Sequence, residues 1–288
     1  MNHLKRVLIT GANSYVGTNV EKWLMKEPDK YYVETLDMKD PNWKNFNFSK
    51  FDVVLHVAGI AHVSTKKSMK DLYFKVNRDL AIETAQKSKD SGISHFIFMS
   101  SMIVYSSHES RITVDTTPNP DNFYGLSKLQ AESAILKMQS DKFIVTILRP
   151  PMIYGNKSKG NFHKLVKIVR SVHFFPNYIN KKSILYINNL SRFLSIIITQ
   201  ECRGVYYPQN PDYTSTLEII KEYSKTSNYK VYFSRVFNPL IKLLSKKITI
   251  VNKLFGDFYY DIDDSQKIGF YQEYNLTTSI VEMEEMHD

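Results

Sequence analysis

The sequence predicts an α/β protein: a doubly wound parallel sheet with helices on both faces, followed by a smaller C-terminal lobe. Three observations carry this. Strand and helix patterns alternate from Arg6 to Pro150. The strand segments are apolar enough to be buried on both faces, as parallel strands are. After Gly155 the alternation loosens into loops and isolated elements.

In chain order, Arg6–Thr10 reads as a buried strand and Tyr15–Met25 as a helix with Val16, Val20, Trp23 and Leu24 on one side. Tyr32–Asp37 is a second strand and Val53–Val57 a third. The segment DPNWKNFNFSKF between them is too irregular for a full crossover helix. A helix spans Asp71–Ser91, closed by Gly92, and the strand His95–Ser100 follows. Tyr124–Gln139 is helical, and the strand Phe143–Leu148 ends before Pro150-Pro151. Beyond Gly155 come a helix near Phe162–Ser171, a helical stretch Asn188–Thr199, a strand Val205–Tyr207 and a helix opened by the capping box of Ser215 and Glu218. This divides the chain into residues 1–155, with 183–210 returning to them, and a lobe of 156–182 and 211–288.

Composition narrows the function. Hydrophobic residues make up 43% of the 288, enough for a sizeable core. The single cysteine, Cys202, excludes an internal disulfide, and no metal-ligand set stands out. Neither a signal peptide nor a membrane span is evident, so a soluble, cytoplasmic protein is expected. The net charge of +9 comes from scattered lysines such as Lys66-Lys67, Lys181-Lys182 and Lys246-Lys247. Solvated surface accounts for it first, a basic funnel for an anionic small substrate second, and nucleic acid a distant third.

The stretch TGANSYVG joins the first strand to the first helix. A glycine turn there lets backbone N–H groups and a helix N-terminus meet a pyrophosphate, which makes the sheet Rossmann-like. Gly11 suits the tight turn and Gly17 the close packing of helix on sheet. Ser14 stands where close backbone approach wants glycine, although its hydroxyl can itself donate to phosphate. Alone, the motif serves a structural turn equally well, but its place between first strand and first helix favours a dinucleotide. Asp37 closes the second strand where an acid accepts from the adenosine ribose hydroxyls and repels a 2′-phosphate, favouring NAD over NADP. Lys39 softens that preference.

Tyr124 and Lys128 in YGLSK share one face of the predicted helix, and a nearby ammonium lowers a phenol's pKa toward the working pH. Such a phenol suits a carbinol–carbonyl interconversion. The spacing recurs at Tyr178 and Lys182, but in a loop. Ser100-Ser101 distinguishes the first pair: a hydroxyl at the carboxyl end of a strand can hold the substrate oxygen while the proton moves.

With TGANSYVG, LDMKD, FDVVLHVAG, VNRDLA, FIFMSSMIVY, FYGLSK, LRPPMIYG and KKSILYINNL in this order, the chain resembles the extended short-chain dehydrogenase/reductases. Within them it is similar to the nucleotide-sugar epimerase, dehydratase and reductase group, and most to enzymes of capsule and O-antigen sugar synthesis. The resemblance implies Ser101, Tyr124 and Lys128 as the catalytic set. It implies a cofactor path over Gly11, Asn13, Ser14, Tyr15, Val16 and Gly17, with Asp37 and Met38, Ala58 and Gly59, Asn77 and Pro150. A UDP-sugar would meet His62, Ser101, Met102, Asn161 and Lys182, with Lys182 replacing a more usual arginine. A homodimer is also implied.

Met102 and Ile103 stand after Ser101 where a dehydratase needs a proton-carrying pair, so 4,6-dehydration is set aside. A 4-reductase using NAD(P)H and a 4-epimerase with tightly held NAD remain, and the likeness to capsule enzymes favours the reductase. A catalytically silent, cofactor-sensing or RNA-binding scaffold is the distant alternative.

Overall fold

The computed structural model describes residues 4–61, 67–158, 160, 162, 165–167, 171–227, 229–245, 247–265 and 268–285. The chain divides into two compact units. One comprises Met1–Ser106, Thr117–Pro150 and Leu190–Pro208; the other comprises Ser107–Thr116, Pro151–Asn189 and Gln209–Asp288.

The first unit is built on a six-stranded sheet of β1 (Lys5–Thr10), β2 (Tyr31–Leu36), β3 (Val53–His56), β4 (His95–Met99), β5 (Ile144–Leu148) and β6 (Gly204–Tyr206). All neighbours are parallel and the spatial order is β6-β5-β4-β3-β1-β2. The expected Rossmann-like sheet is therefore present. Its interior runs through Val7–Ile9, Val53–Leu55 and Phe96–Phe98, all fully buried, which explains why these strands read as continuous apolar runs.

Helices α1 (Tyr15–Leu24), α2 (Leu80–Asp90) and α3 (Phe123–Leu136) connect the strands. The link between β2 and β3 holds only a single 3₁₀ segment, Pro41–Asn45, so the irregular reading of DPNWKNFNFSKF was sound. Two details differ from expectation. The helix expected over Asp71–Ser91 begins at Lys70, and its residues Phe74–Asp79 form a π turn before α2. The helix expected to reach Gln139 ends at Leu136, because Ser140 and Phe143 pair backbone to backbone and turn the chain into β5.

The second unit holds three short parallel pairs: Met152–Tyr154 with Ile184–Tyr186, Phe174–Pro176 with Tyr232–Ser234, and Arg111–Ile112 with Tyr259–Tyr260. Tyr154 anchors its interior, with its hydroxyl 2.6 Å from Ser279 Oγ and accepting from Asn210 Nδ2 at 2.8 Å. Of the helix expected near Phe162–Ser171, residues 163–164 and 168–170 lie outside the described residues, while Leu165–Lys167 are helical. Ser215 caps its helix as expected, Oγ accepting from the Glu218 N–H at 3.0 Å. Among the described residues no helix is long and apolar enough to cross a membrane.

Candidate functional site

Parallel strands share one carboxyl edge, so the residues that follow β1, β2, β3 and β4 arrive on the same side of the sheet. The strand order reverses between β1 and β3, where an open α/β sheet forms its ligand crevice.

The loop after β1 is a tight turn. Gly11 sits at φ 102°, and a Cβ there would lie 2.8 Å from the Ala58 nitrogen, so neither conformation nor space admits a side chain. Gly11 and Ala12 both donate to the Leu36 carbonyl, at 2.8 and 3.1 Å, which ties the loop to the end of β2 beside Asp37. Asn13 takes a left-handed φ of 62°. Ser14 is the N-cap of α1: its Oγ accepts from the Gly17 N–H at 3.1 Å. The serine at the expected glycine position therefore supports the helix start, and its hydroxyl proton stays available to a second acceptor. Val16 is half-buried in the first helical turn. The neighbouring Tyr15 hydroxyl is buried with no hydrogen-bond partner among the described residues, and burial raises its pKa.

Asp37 is exposed, with Oδ1 accepting from the Lys39 N–H at 3.0 Å, while Met38 beside it is buried. After β3, Ala58 is buried and Gly59 exposed. Asn77, fully buried in the π turn, holds this segment: Oδ1 accepts from the Ile60 N–H at 2.8 Å and Nδ2 donates to the Ile60 carbonyl at 3.0 Å. A Cβ on Gly59 would lie 2.9 Å from Asn77 Oδ1 and 3.3 Å from Lys128 Nζ. The bare backbone at Gly59 thus leaves room over the lysine.

Ser101, Tyr124 and Lys128 converge here. Ser101 caps a short 3₁₀ turn, Met102–Val104, with Oγ accepting from the Ile103 N–H at 3.3 Å, and its side chain acts on the Tyr124 phenol so as to lower its pKa. Met102 is buried and its N–H donates to the Pro150 carbonyl at 2.9 Å. Ser100, the other strand-end candidate, is buried and donates to Glu132. Lys128 lies one turn after Tyr124 on α3, its Nζ donating to the Met99 carbonyl at 2.8 Å over the Phe98 ring. Burial brings its pKa down to about 8, opposed by Glu132.

One electrostatic expectation fails. The Tyr124 phenol is pushed up to about 12, because burial outweighs the lowering hydrogen bond from Ser101 and Tyr73 adds to the rise. Spacing put the ammonium on the right face, but the Met99 carbonyl engages it.

Beneath these residues lies a polar layer that motif reading missed. Glu132, one turn beyond Lys128, pairs with Arg149 (Nη2 to Oε2, 2.6 Å), and Arg149 Nη1 donates to the Tyr105 hydroxyl at 2.7 Å. All three are buried. His56, at the end of β3, lies with Nδ1 2.8 Å from Thr10 Oγ1. Burial first, and Lys128 second, lower its pKa to about 3, so it is neutral. The signal for Glu132 was its position, four residues after Lys128 on the same face, where a buried acid demands a partner.

Of the expected sugar-side residues, His62 and Asn161 lie outside the described residues. Lys182 belongs to the second unit and its Nζ donates to the Lys253 carbonyl at 2.9 Å. Burial lowers its pKa to about 8, opposed by Asp257.

The first unit's residues fit a dinucleotide. The Gly11 turn and the start of α1 present backbone to a pyrophosphate, an exposed carboxylate stands at the end of β2, and the Cβ-free Gly59 flanks a buried lysine.

Comparison with known proteins agrees in kind. The profile of the NAD dependent epimerase/dehydratase family matches residues 7–192. UDP-glucose 4-epimerase of Vibrio cholerae is 28% identical over 295 residues, covering 91% of this chain and 89% of its own. N-acetyl-alpha-D-glucosaminyl-diphospho-ditrans,octacis-undecaprenol 4-epimerase of Escherichia coli O157:H7 is 27% identical over 276 residues, covering 88% and 82%. Among solved structures, UDP-glucuronic acid 4-epimerase from Bacillus cereus in complex with NAD superposes with a TM-score of 0.74 at 18% identity, covering 97% and 96%.

Proposed function

The chain belongs to the NAD dependent epimerase/dehydratase family, and we propose that it interconverts hydroxyl and carbonyl at C4 of a hexose carried on a diphosphate. The observation that carries this reading is the placement of Tyr124 and the buried Lys128 one helical turn apart on α3, with Lys128 Nζ bonded to the Met99 carbonyl at the end of the strand that leads into Ser101.

In this reading Tyr124 exchanges the proton at O4, Ser101 holds that oxygen, and Lys128 steadies the phenol and the cofactor ribose. The loop of Gly11, Asn13, Ser14, Tyr15, Val16 and Gly17 would hold the pyrophosphate, with Asp37 and Met38 at the adenosine. Ala58, Gly59 and Pro150 would border the rest of the cofactor, with Asn77 fixing Gly59 from behind. When bound, the nicotinamide supplies the hydride acceptor and donor. Asp37 favours NAD, and Lys39 leaves NADP usable. His62, Met102, Asn161 and Lys182 are proposed to meet the sugar diphosphate, residues 156–182 and 211–288 forming the substrate lobe. Met102 and Ile103 carry no proton, which argues against elimination of water.

The two curated relatives share a hexose on a diphosphate and a 4-epimerase name, on UDP in one and on undecaprenol in the other. That supports redox-neutral epimerisation. Net reduction of a 4-keto sugar, favoured by the resemblance to capsule enzymes, uses the same residue roles, and one experiment separates the two. The purified protein is given UDP-N-acetylglucosamine without reductant, and separately UDP-4-keto-6-deoxy-N-acetylglucosamine with NADH or NADPH. A new C4 epimer without net nicotinamide turnover establishes the epimerase, and stoichiometric loss of reduced-nicotinamide absorbance establishes the reductase. Tyr124→Phe should cost about 10²–10⁴-fold in rate in either case. Inertness toward both, and toward the undecaprenol-linked sugar, would sink the reading.

A further inference from the structure

The second unit exposes an aliphatic face with a basic rim. Helices α4 (Asn238–Ser245) and α5 (Thr249–Phe255) form a hairpin whose inner side is set by Ile241 and Phe255, both buried. Leu240 and Leu243, three apart on one helix face, point outward at 52% and 58% exposed, and Val236 in the turn before the helix is 80% exposed. Ile250 on α5 is 67% exposed. The tilted rings of Phe174 and Tyr232, 5.5 Å apart and both exposed, stand on the strand pair that leads into Val236. Large apolar side chains grouped like this are uncommon on a surface that meets only water.

The charges along this segment have one sign. Between Glu222 and Asp257 the sequence contains no Asp or Glu, and Arg235, Lys242, Lys247 and Lys253 are exposed. Among scattered cations this is the stretch in which aliphatic side chains and unpaired basic composition coincide.

We infer that this face docks on an anionic lipid bilayer. Leucine, isoleucine and valine gain by entering the boundary between headgroups and acyl chains, while lysines and arginine remain at the lipid phosphates. Other occupants match less well. A nucleic-acid surface would use the cations and the rings but leave the aliphatic positions without a role. A two-fold contact between copies would bring each basic rim against its own counterpart. The inference rests on this surface alone and is independent of the C4 chemistry.

The test is co-sedimentation of the full-length protein with vesicles of phosphatidylcholine, alone or mixed with phosphatidylglycerol. The protein should pellet with the mixed vesicles and far less with phosphatidylcholine alone. Leu240→Glu/Leu243→Glu should reduce the vesicle-bound fraction at least about tenfold without changing the melting temperature, since both side chains are solvent-facing. Lys242→Glu/Lys247→Glu should bring binding to mixed vesicles down toward the level on phosphatidylcholine. The inference is overturned if the wild type ignores both vesicles, or if the leucine variant binds as well as the wild type. It is equally overturned if light scattering shows a wild-type oligomer that the leucine variant splits while neither protein binds vesicles.

Discussion

The Asn77 side-chain amide closes on Ile60 from both sides, accepting from its N–H at 2.8 Å and donating to its carbonyl at 3.0 Å. A π turn makes this possible by advancing Asn77 out of the ordinary helical register, a device often found at functional sites. Asn77→Ala would leave both backbone groups unpaired in a part-buried loop, at a cost of about 1–3 kcal/mol. The melting temperature should fall and the Kd for NAD should rise, because Gly59 loses its backing. Asn77→Asp keeps an acceptor for the N–H but no donor for the carbonyl, and should fall in between. Unchanged NAD affinity in a folded Asn77→Ala protein would refute the role.

Lys128 should oppose stability near neutral pH. Its folded pKa of about 8 lies below the ordinary 10.5 because burial disfavours the ammonium. Below about pH 8 both folded and unfolded chains are charged there, and the fold bears the full desolvation cost. Between about 8 and 10.5 the unfolded chain binds more protons, so this handicap fades as pH rises. The shift corresponds to about 3 kcal/mol at most, reduced by the hydrogen bond to Met99. Lys128→Met should therefore melt higher than the wild type at pH 7, and the advantage should shrink toward pH 10, while turnover falls by about 10²-fold or more. A variant that melts lower at pH 7 would show that the Met99 contact outweighs the desolvation.

Asp37 should set cofactor choice. It is exposed at the end of β2, next to the carbonyl that anchors Gly11 and Ala12. A carboxylate there repels a 2′-phosphate and accepts from ribose hydroxyls. Asp37→Ser should raise the KM for NAD and lower that for NADP, moving their ratio by about tenfold, equivalent to about 1.4 kcal/mol. An unmoved ratio would place the adenosine elsewhere.

What could be read from the sequence was local. TGANSYVG, Asp37 and the Tyr124–Lys128 spacing lie within single strand–turn–helix units, so order along the chain stood in for position in space. The same holds for the sheet, whose buried strands are continuous apolar runs. The contacts that failed to show were those made between segments. Glu132 and Arg149 are 17 residues apart and each resembles an ordinary surface charge until β5 and α3 bring them together. The π turn has no compositional mark, and the Tyr124 shift came mainly from burial, which residue spacing does not reveal.

The Glu132–Arg149 pair gives a prediction that distinguishes a stabilising contact from a positioning one. Both charges are nearly dry, and Ser100 and Tyr105 satisfy further valences at their ends. Removing one partner strands the other, so Glu132→Leu or Arg149→Met alone should cost about 3–5 kcal/mol in urea unfolding. The double substitution removes both desolvation costs and should be less destabilised than either single, a coupling measured directly by a double-mutant cycle. Activity should not follow stability. Without Glu132 the buried Lys128 loses the neighbour that favours its charged form, so its pKa falls further. The double variant should then turn over more slowly than its recovered stability suggests, with the limb of the pH–rate profile that reports Lys128 moved to lower pH. Additive single-mutant effects in unfolding would remove the pair from this account. Full activity in the double variant would leave it a purely structural contact.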